Sequence, residues 1–85
     1  MFVRFFGSSN CRDCLELFVI LGKTNVDFEY IDAFDDDTQE LCDEYDVDQL
    51  PHIQFVEDET VIVEHAGFID EEEFIRYLTM YFPNY

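Results

Sequence analysis

Residues 2–22 read FVRFFGSSNCRDCLELFVILG, and how this stretch folds decides how the rest can. From Phe2 to Phe6 apolar side chains occupy both alternate positions save Arg4, the pattern of a strand buried on both faces and therefore central in its sheet. Gly7, Ser8, Ser9 and Asn10 break that strand. From Arg12 to Leu21 the apolar residues return at helical spacing, with Leu15, Phe18 and Leu21 in one row and Val19 and Ile20 alongside. Gly22 is placed to cap the helix C-terminus. A strand hands over to a helix, and Cys11-Arg12-Asp13-Cys14 sits at the handover.

Outward from there, Val26-Asp27-Phe28-Glu29-Tyr30 alternates apolar and acidic, which predicts a strand, continuing through Ile31, with one covered and one wet face. After an acidic turn at Asp35 and Asp36, Leu41, Cys42 and Tyr45 mark one side of a short helix ending near Asp46. Pro51 opens a strand from His52 to Val56, and Glu57-Asp58-Glu59 is a loop short enough to pair it as a hairpin with Thr60 to His65. Asp70 followed by Glu73 has the spacing of a capping box. Phe74, Leu78 and Tyr81, with Ile75 and Phe82, supply the apolar stripe of a last helix that Pro83 stops. The order β-α-β-α-β-β-α predicts an α/β fold. It starts with a right-handed parallel crossover and ends with a hairpin, giving a four-stranded mixed sheet flanked by helices.

A chain of 85 residues holds one hydrophobic core, so a single domain over residues 1–85 is expected. Ten Phe within a sequence that is 48% apolar supply that core without disulfide staples. Three cysteines do not make a secreted disulfide framework, which uses an even set, and point to a reducing compartment. The apolar start from Met1 to Phe6 is too short for a signal-peptide core, and no run approaches the ~20 residues of a membrane helix. Cytoplasmic localisation with no membrane partner is the expectation. Twenty-one acids against four bases give a formal charge of −17, a field that repels phosphate backbones and argues against nucleic acid as a partner. Solubility, adaptation to high salt and docking on a basic surface are the meanings left for it.

The chemistry lies in the cysteine pair. Residues three apart on a helical turn hold their Cα atoms roughly 5 to 6 Å apart, inside the range a disulfide needs. Only the thiolate attacks a disulfide, and an ordinary thiol of pKa ~8.5 is a few per cent ionised at neutral pH. The unpaired N–H groups at a helix start can lower that value by about one to two, through the dipole and a charged hydrogen bond. Cys11 is placed for attack and Cys14, one turn on and more covered, for resolution. Arg12 supports the anion and Asp13 opposes it, both from exposed positions.

With this motif at the first strand–helix junction and a proline opening the third strand, nearly the full chain resembles the glutaredoxin-type members of the thioredoxin superfamily. The resemblance implies a thioredoxin-like fold in which Pro51 is cis and faces the cysteines, and Leu50 offers its backbone to a bound substrate chain. Ala66-Gly67-Phe68 falls where glutaredoxins place a glycine pair. Arg12, Asp13, Leu50, Pro51, Gly67 and Phe68 are accordingly the candidate substrate contacts, with Cys11 and Cys14 catalytic and no metal ligand. Ser8 stands where many glutaredoxins have a lysine and Ile69 near where they have an acid, and both missing charges would have held glutathione. Gln49-Leu50-Pro51 with Ala66-Gly67-Phe68 looks closer to the NrdH-type redoxins, which take electrons from thioredoxin reductase and pass them to ribonucleotide reductase. The resemblance thus implies a monomeric dithiol–disulfide oxidoreductase needing no resident cofactor. Its electron donor would be thioredoxin reductase or glutathione, and its acceptor a disulfide-bearing protein such as ribonucleotide reductase.

Two other classes stay open. Cys11 and Cys14 could be half a zinc site completed from Cys42, His52 and His65, which lack paired spacing, or a binding module could hold zinc or an iron–sulfur cluster through Cys11. The acidic surface could serve a non-catalytic adaptor. Cys42 shares the apolar side of its helix and reads as core. Alternation points His52 away from the face of Ile53. His65 reads as a sheet residue, and Phe68 as either packing or groove lining. The acidic stretch from Asp32 to Asp48 reads as a solvated face.

Overall fold

Strand β1 (Phe2–Gly7) lies in the interior of the sheet, as its two-faced apolar pattern predicts, with Val3, Phe5 and Phe6 fully buried. The computed structural model describes residues 1–83. In it β1 is followed by α1 (Arg12–Thr24), β2 (Phe28–Asp32), a 3₁₀ turn (Asp36–Thr38), α2 (Gln39–Glu44), β3 (His52–Glu57), β4 (Thr60–Ala66) and α3 (Glu71–Tyr81). The sheet order is β2-β1-β3-β4. β1 runs parallel to β2 with Phe5 opposite Tyr30 and antiparallel to β3 with Phe5 opposite Ile53, and β3 and β4 are antiparallel. The predicted mixed α/β sheet is the observed one. Among the described residues no helix is long and apolar enough to cross a membrane.

Alternation along β1 and β3 sorts the core into two layers. Val3, Phe5, Ile53 and Phe55 meet Cys14, Leu17 and Leu21 of α1 and Phe74 and Leu78 of α3. On the opposite face Phe6 and Ile31 meet Cys42 of α2. Because α2 has only six residues, the rest of that face is closed by a chain of polar side chains. Arg4 Nη1 donates to Gln54 Oε1 at 2.9 Å, Gln54 Nε2 donates to Glu64 Oε2 at 3.0 Å, and His52 Nε2 donates to the same oxygen at 2.7 Å. The Arg4 guanidinium also lies 5.7 Å from the ring centres of Phe2 and Tyr45, close enough for a cation–π contact.

Several expectations are corrected. In α1 the buried row is Cys14, Leu17, Ile20 and Leu21, whereas Leu15 and Val19 are more than half exposed. Once Cys14 must face the core, the 3.6-residue period turns positions 15 and 19 outward. Gly22 does not cap this helix. The chain stays helical to Thr24, and Asn25, at φ 61°, makes the left-handed cap with its N–H on the Leu21 carbonyl, a conformation asparagine tolerates. Strand β2 starts at Phe28 rather than Val26 and runs one residue past Ile31, to Asp32. Phe28 and Tyr30 remain partly exposed because they lie on the edge strand, where Phe18 of α1 leans on both, with ring centres 6.2 and 4.9 Å away, and Phe5 of β1 meets Tyr30 at 5.3 Å. Helix α2 ends at Glu44 rather than Asp46, since Asp46 takes φ 53° and leaves the helical region. Ile75 of α3 is exposed while Phe74, Leu78 and Phe82 are buried, for the same rotational reason as in α1. Asp70 does cap α3, accepting the Glu73 N–H at 2.8 Å.

Candidate redox site

Strand β1 ends at Gly7, and the site is built on the short loop that comes next. The Ser8 carbonyl accepts the Cys11 N–H at 3.2 Å, and Ser8 Oγ accepts the Asn10 N–H at 3.2 Å, so a buried serine folds the loop back onto the helix start. Cys11 is the N-cap of α1, with extended backbone (φ −99°, ψ 113°). Its Sγ accepts the Cys14 N–H at 3.2 Å, one of the first-turn donors that an α-helix leaves unpaired. Cys11 and Cys14 are joined as a disulfide, with Cα atoms 5.2 Å apart, inside the range that needs no backbone movement. The two sulfurs differ in access: Cys14 is fully buried in the core layer under α1 and α3, and Cys11 is half-buried at its edge.

Gly7 makes this packing possible. A Cβ there would come within 2.7 Å of the Phe5 ring and 3.2 Å of the Cys14 sulfur, closer than side chains normally approach. Arg12 is exposed as expected, but Asp13 is half-buried, because it lies beside the inward-facing Cys14 on the first turn.

The candidate substrate contacts come together on the same end of the sheet. The Leu50–Pro51 bond is cis, as the resemblance implies. Leu50 packs against both core layers, including the one that holds Cys14, and Pro51 is buried. The Pro51 carbonyl accepts the Gly67 N–H at 2.7 Å, which ties the loop after β4 to the start of β3. Gly67 adopts φ 93°, where only glycine is at ease, and the Gln49 side chain sits over it where a Cβ would be. Phe68 projects its ring to solvent, about half exposed.

His65 anchors this turn. Its Nε2 donates to the Phe68 carbonyl at 3.0 Å and its Nδ1 accepts from the Tyr77 hydroxyl at 3.0 Å. Burial, with Glu73 and Tyr81 nearby, pushes the Tyr77 phenol above its ordinary pKa, so it keeps the proton it donates. His52 lies on the opposite sheet face against Phe6, its Nε2 held by Glu64. Cys42 is buried on the inner side of α2, against Phe6 and Ile31. Among the described residues no three of His, Cys, Asp and Glu converge on a point that could hold a metal ion.

Sequence reading missed the positioning roles of Gly7, Ser8, Gln49 and His65. A glycine closing a central strand is a signal for close approach that could have found Gly7. Ser8 makes a local turn of the kind serine side chains favour, whereas Gln49 over Gly67 and His65 against Tyr77 are contacts that no local pattern announces.

No family model matches the chain and no curated protein matches it. Solved structures do. A mutant thioredoxin from Halobacterium salinarum is 22% identical, with a TM-score of 0.80 over 93% of this chain and 72% of that one. Thioredoxin 1 from Thermosipho africanus is 20% identical, with a TM-score of 0.76 over 98% of this chain and 96% of that one. Thioredoxin O2 from Arabidopsis thaliana in its oxidised state is 16% identical, with a TM-score of 0.78 over 94% and 73%. At these identities the likeness is one of architecture, and the architecture of this chain is the thioredoxin fold.

Proposed function

We propose that the chain is a small dithiol–disulfide oxidoreductase. The observation that carries this reading is the bridged pair itself, with a partly accessible Cys11 accepting a first-turn N–H at the helix start and a fully buried Cys14 one turn behind it. In the reduced protein those N–H groups stabilise the Cys11 thiolate. The thiolate attacks one sulfur of a substrate disulfide, forming a mixed disulfide and expelling the other substrate sulfur as a thiolate, which takes up a proton. Cys14 loses its proton and attacks the Cys11 sulfur of the mixed disulfide, releasing the second substrate thiol. The substrate gains two electrons and the protein returns to the Cys11–Cys14 disulfide.

The access difference supports this order of the two steps, because an incoming disulfide meets Cys11 before Cys14. Leu50, Pro51, Gly67 and Phe68 form the docking edge in this reading, and Arg12 and Asp13 set the field around the attacking sulfur. The finer assignment is to the NrdH-type redoxins, supported by Ser8 and Ile69 in place of the two glutathione-binding charges. It makes thioredoxin reductase the electron donor, a protein such as ribonucleotide reductase the acceptor, and the cytoplasm the working compartment of a monomer with no resident cofactor.

Cys11→Ser is expected to lower disulfide reduction by roughly a thousandfold or more, while Cys14→Ser accumulates mixed disulfides visible by mass spectrometry. Full activity in Cys11→Ser would overturn the reading. Reduction by thioredoxin reductase with NADPH, compared with reduction by glutathione, tests the finer assignment: turnover with glutathione alone would make the chain a glutaredoxin.

A further inference from the structure

Beside the docking edge, and sharing Leu50 with it, lies a groove of about 230 Å³ between the loop after β2 and the segment leading to Leu50. Its apolar walls include Ala33, Phe34, Val47 and Leu50, and the exposed carboxylates of Asp43 and Asp48 stand at its rim. The volume is below the ~300 to 1,000 Å³ of small-molecule pockets and suits one large side chain. Phe34 is 74% exposed although its backbone is fixed, since its N–H donates to Asp32 Oδ1 at 2.9 Å and the preceding Ala33 N–H donates to the Gly7 carbonyl at 2.9 Å. The ring is therefore held out to solvent at the end of the strand that leads into the cysteine loop. At its other side the groove reaches Leu50, which packs against the layer that contains Cys14.

Charge decides what enters. None of the four bases lines this groove. Arg4 is held by Gln54, Lys23 pairs with Glu71 at 3.2 Å and Arg76 with Glu72 at 3.6 Å, so these three do not offset the rim carboxylates. Resting on the dithiol reading, we infer that the groove receives a large apolar side chain flanked by Lys or Arg from the substrate protein, so that this chain prefers disulfides set in basic, apolar sequence. The apolar side chain fills the space beside Phe34 and Val47, and the neighbouring ammonium or guanidinium meets Asp43 and Asp48 within a screening length of ~8 Å at physiological salt.

The test uses chemically reduced protein and two synthetic peptides with one disulfide each, identical except that Lys-Phe or Glu-Phe adjoins the half-cystine. The second-order rate of reduction is read by stopped flow, with hydroxyethyl disulfide as an uncharged reference. The Lys peptide is expected to react about tenfold or more faster than the Glu peptide at low salt, and about 0.5 M NaCl should collapse the ratio. Asp43→Asn with Asp48→Asn should bring it below about threefold. Glu57→Gln with Glu72→Gln removes as much charge away from the groove and should leave it intact. A ratio near one in the native protein, or one that survives neutralisation of Asp43 and Asp48, overturns the groove assignment while the redox reading stands. Failure to reduce hydroxyethyl disulfide as well overturns both.

Discussion

Glu64 shows how one carboxylate in the polar chain across the sheet answers to competing forces. Burial pushes its carboxyl up, but hydrogen bonds from Gln54 and His52, together with the charge of His52, outweigh this and hold it below its ordinary 4.5. A carboxyl depressed in the folded state stabilises the fold fully above its unfolded value and loses that contribution as the pH falls through its lower folded value. Melting temperatures of the native protein and Glu64→Gln are therefore expected to differ most near neutrality and to converge as the pH drops below about 4.5. A gap that stays constant across that range would show that ionisation of Glu64 contributes nothing. Gly67 and Gly7 make the complementary point about size. One is required by a backbone angle and the other by the Phe5 ring and the Cys14 sulfur, and of the two it is Gly7 that its place at the end of a central strand announces.

Among the elements, the β3–β4 hairpin pays for its tightness in backbone strain. Asp58 and Glu59 form the two-residue loop, and both take positive φ, 52° and 65°, the geometry that lets a tight turn follow the strand twist. Glutamate is a poor choice there, and Glu59→Gly is expected to raise unfolding free energy by about 0.5 to 1 kcal/mol in urea titrations. No change, or a loss, would show that the turn gains more from the Glu side chain than it loses to strain. The order of elements was legible because strands and helices differ in apolar period and because Gly, Pro and Asn-type breaks fall between them. Which way α1 faces was not. Apolar residues surround that helix almost completely from Leu15 to Leu21, so periodicity alone does not choose a face, and in the fold it is Cys14, Leu17, Ile20 and Leu21 that pack inward against the sheet and α3. The cysteines and Leu50–Pro51 were legible as a candidate site because spacing and proline carry them, whereas Gln49 and His65 act across folded distance, on Gly67 and Tyr77.

At the scale of the whole molecule, a net charge of −17 on 85 residues stores self-repulsion that added salt relieves. The melting temperature is expected to rise by several degrees between about 0.05 and 1 M NaCl, as read by circular dichroism. A flat or falling curve would mean that local pairs such as Lys23–Glu71 outweigh the overall field. The sheet also imposes an order in time. Arg4 of β1 reaches across 50 positions of sequence to Gln54 of β3, so the strand that carries the cysteine loop is finished only by residues synthesised much later. On a growing chain Cys11 and Cys14 emerge before Leu50, Pro51 and Gly67 exist to flank them. The thiols are thus made first and the residues around them afterwards, and on the proposed function the nascent polypeptide carries its sulfurs, for that interval, without the surface that would choose their partner.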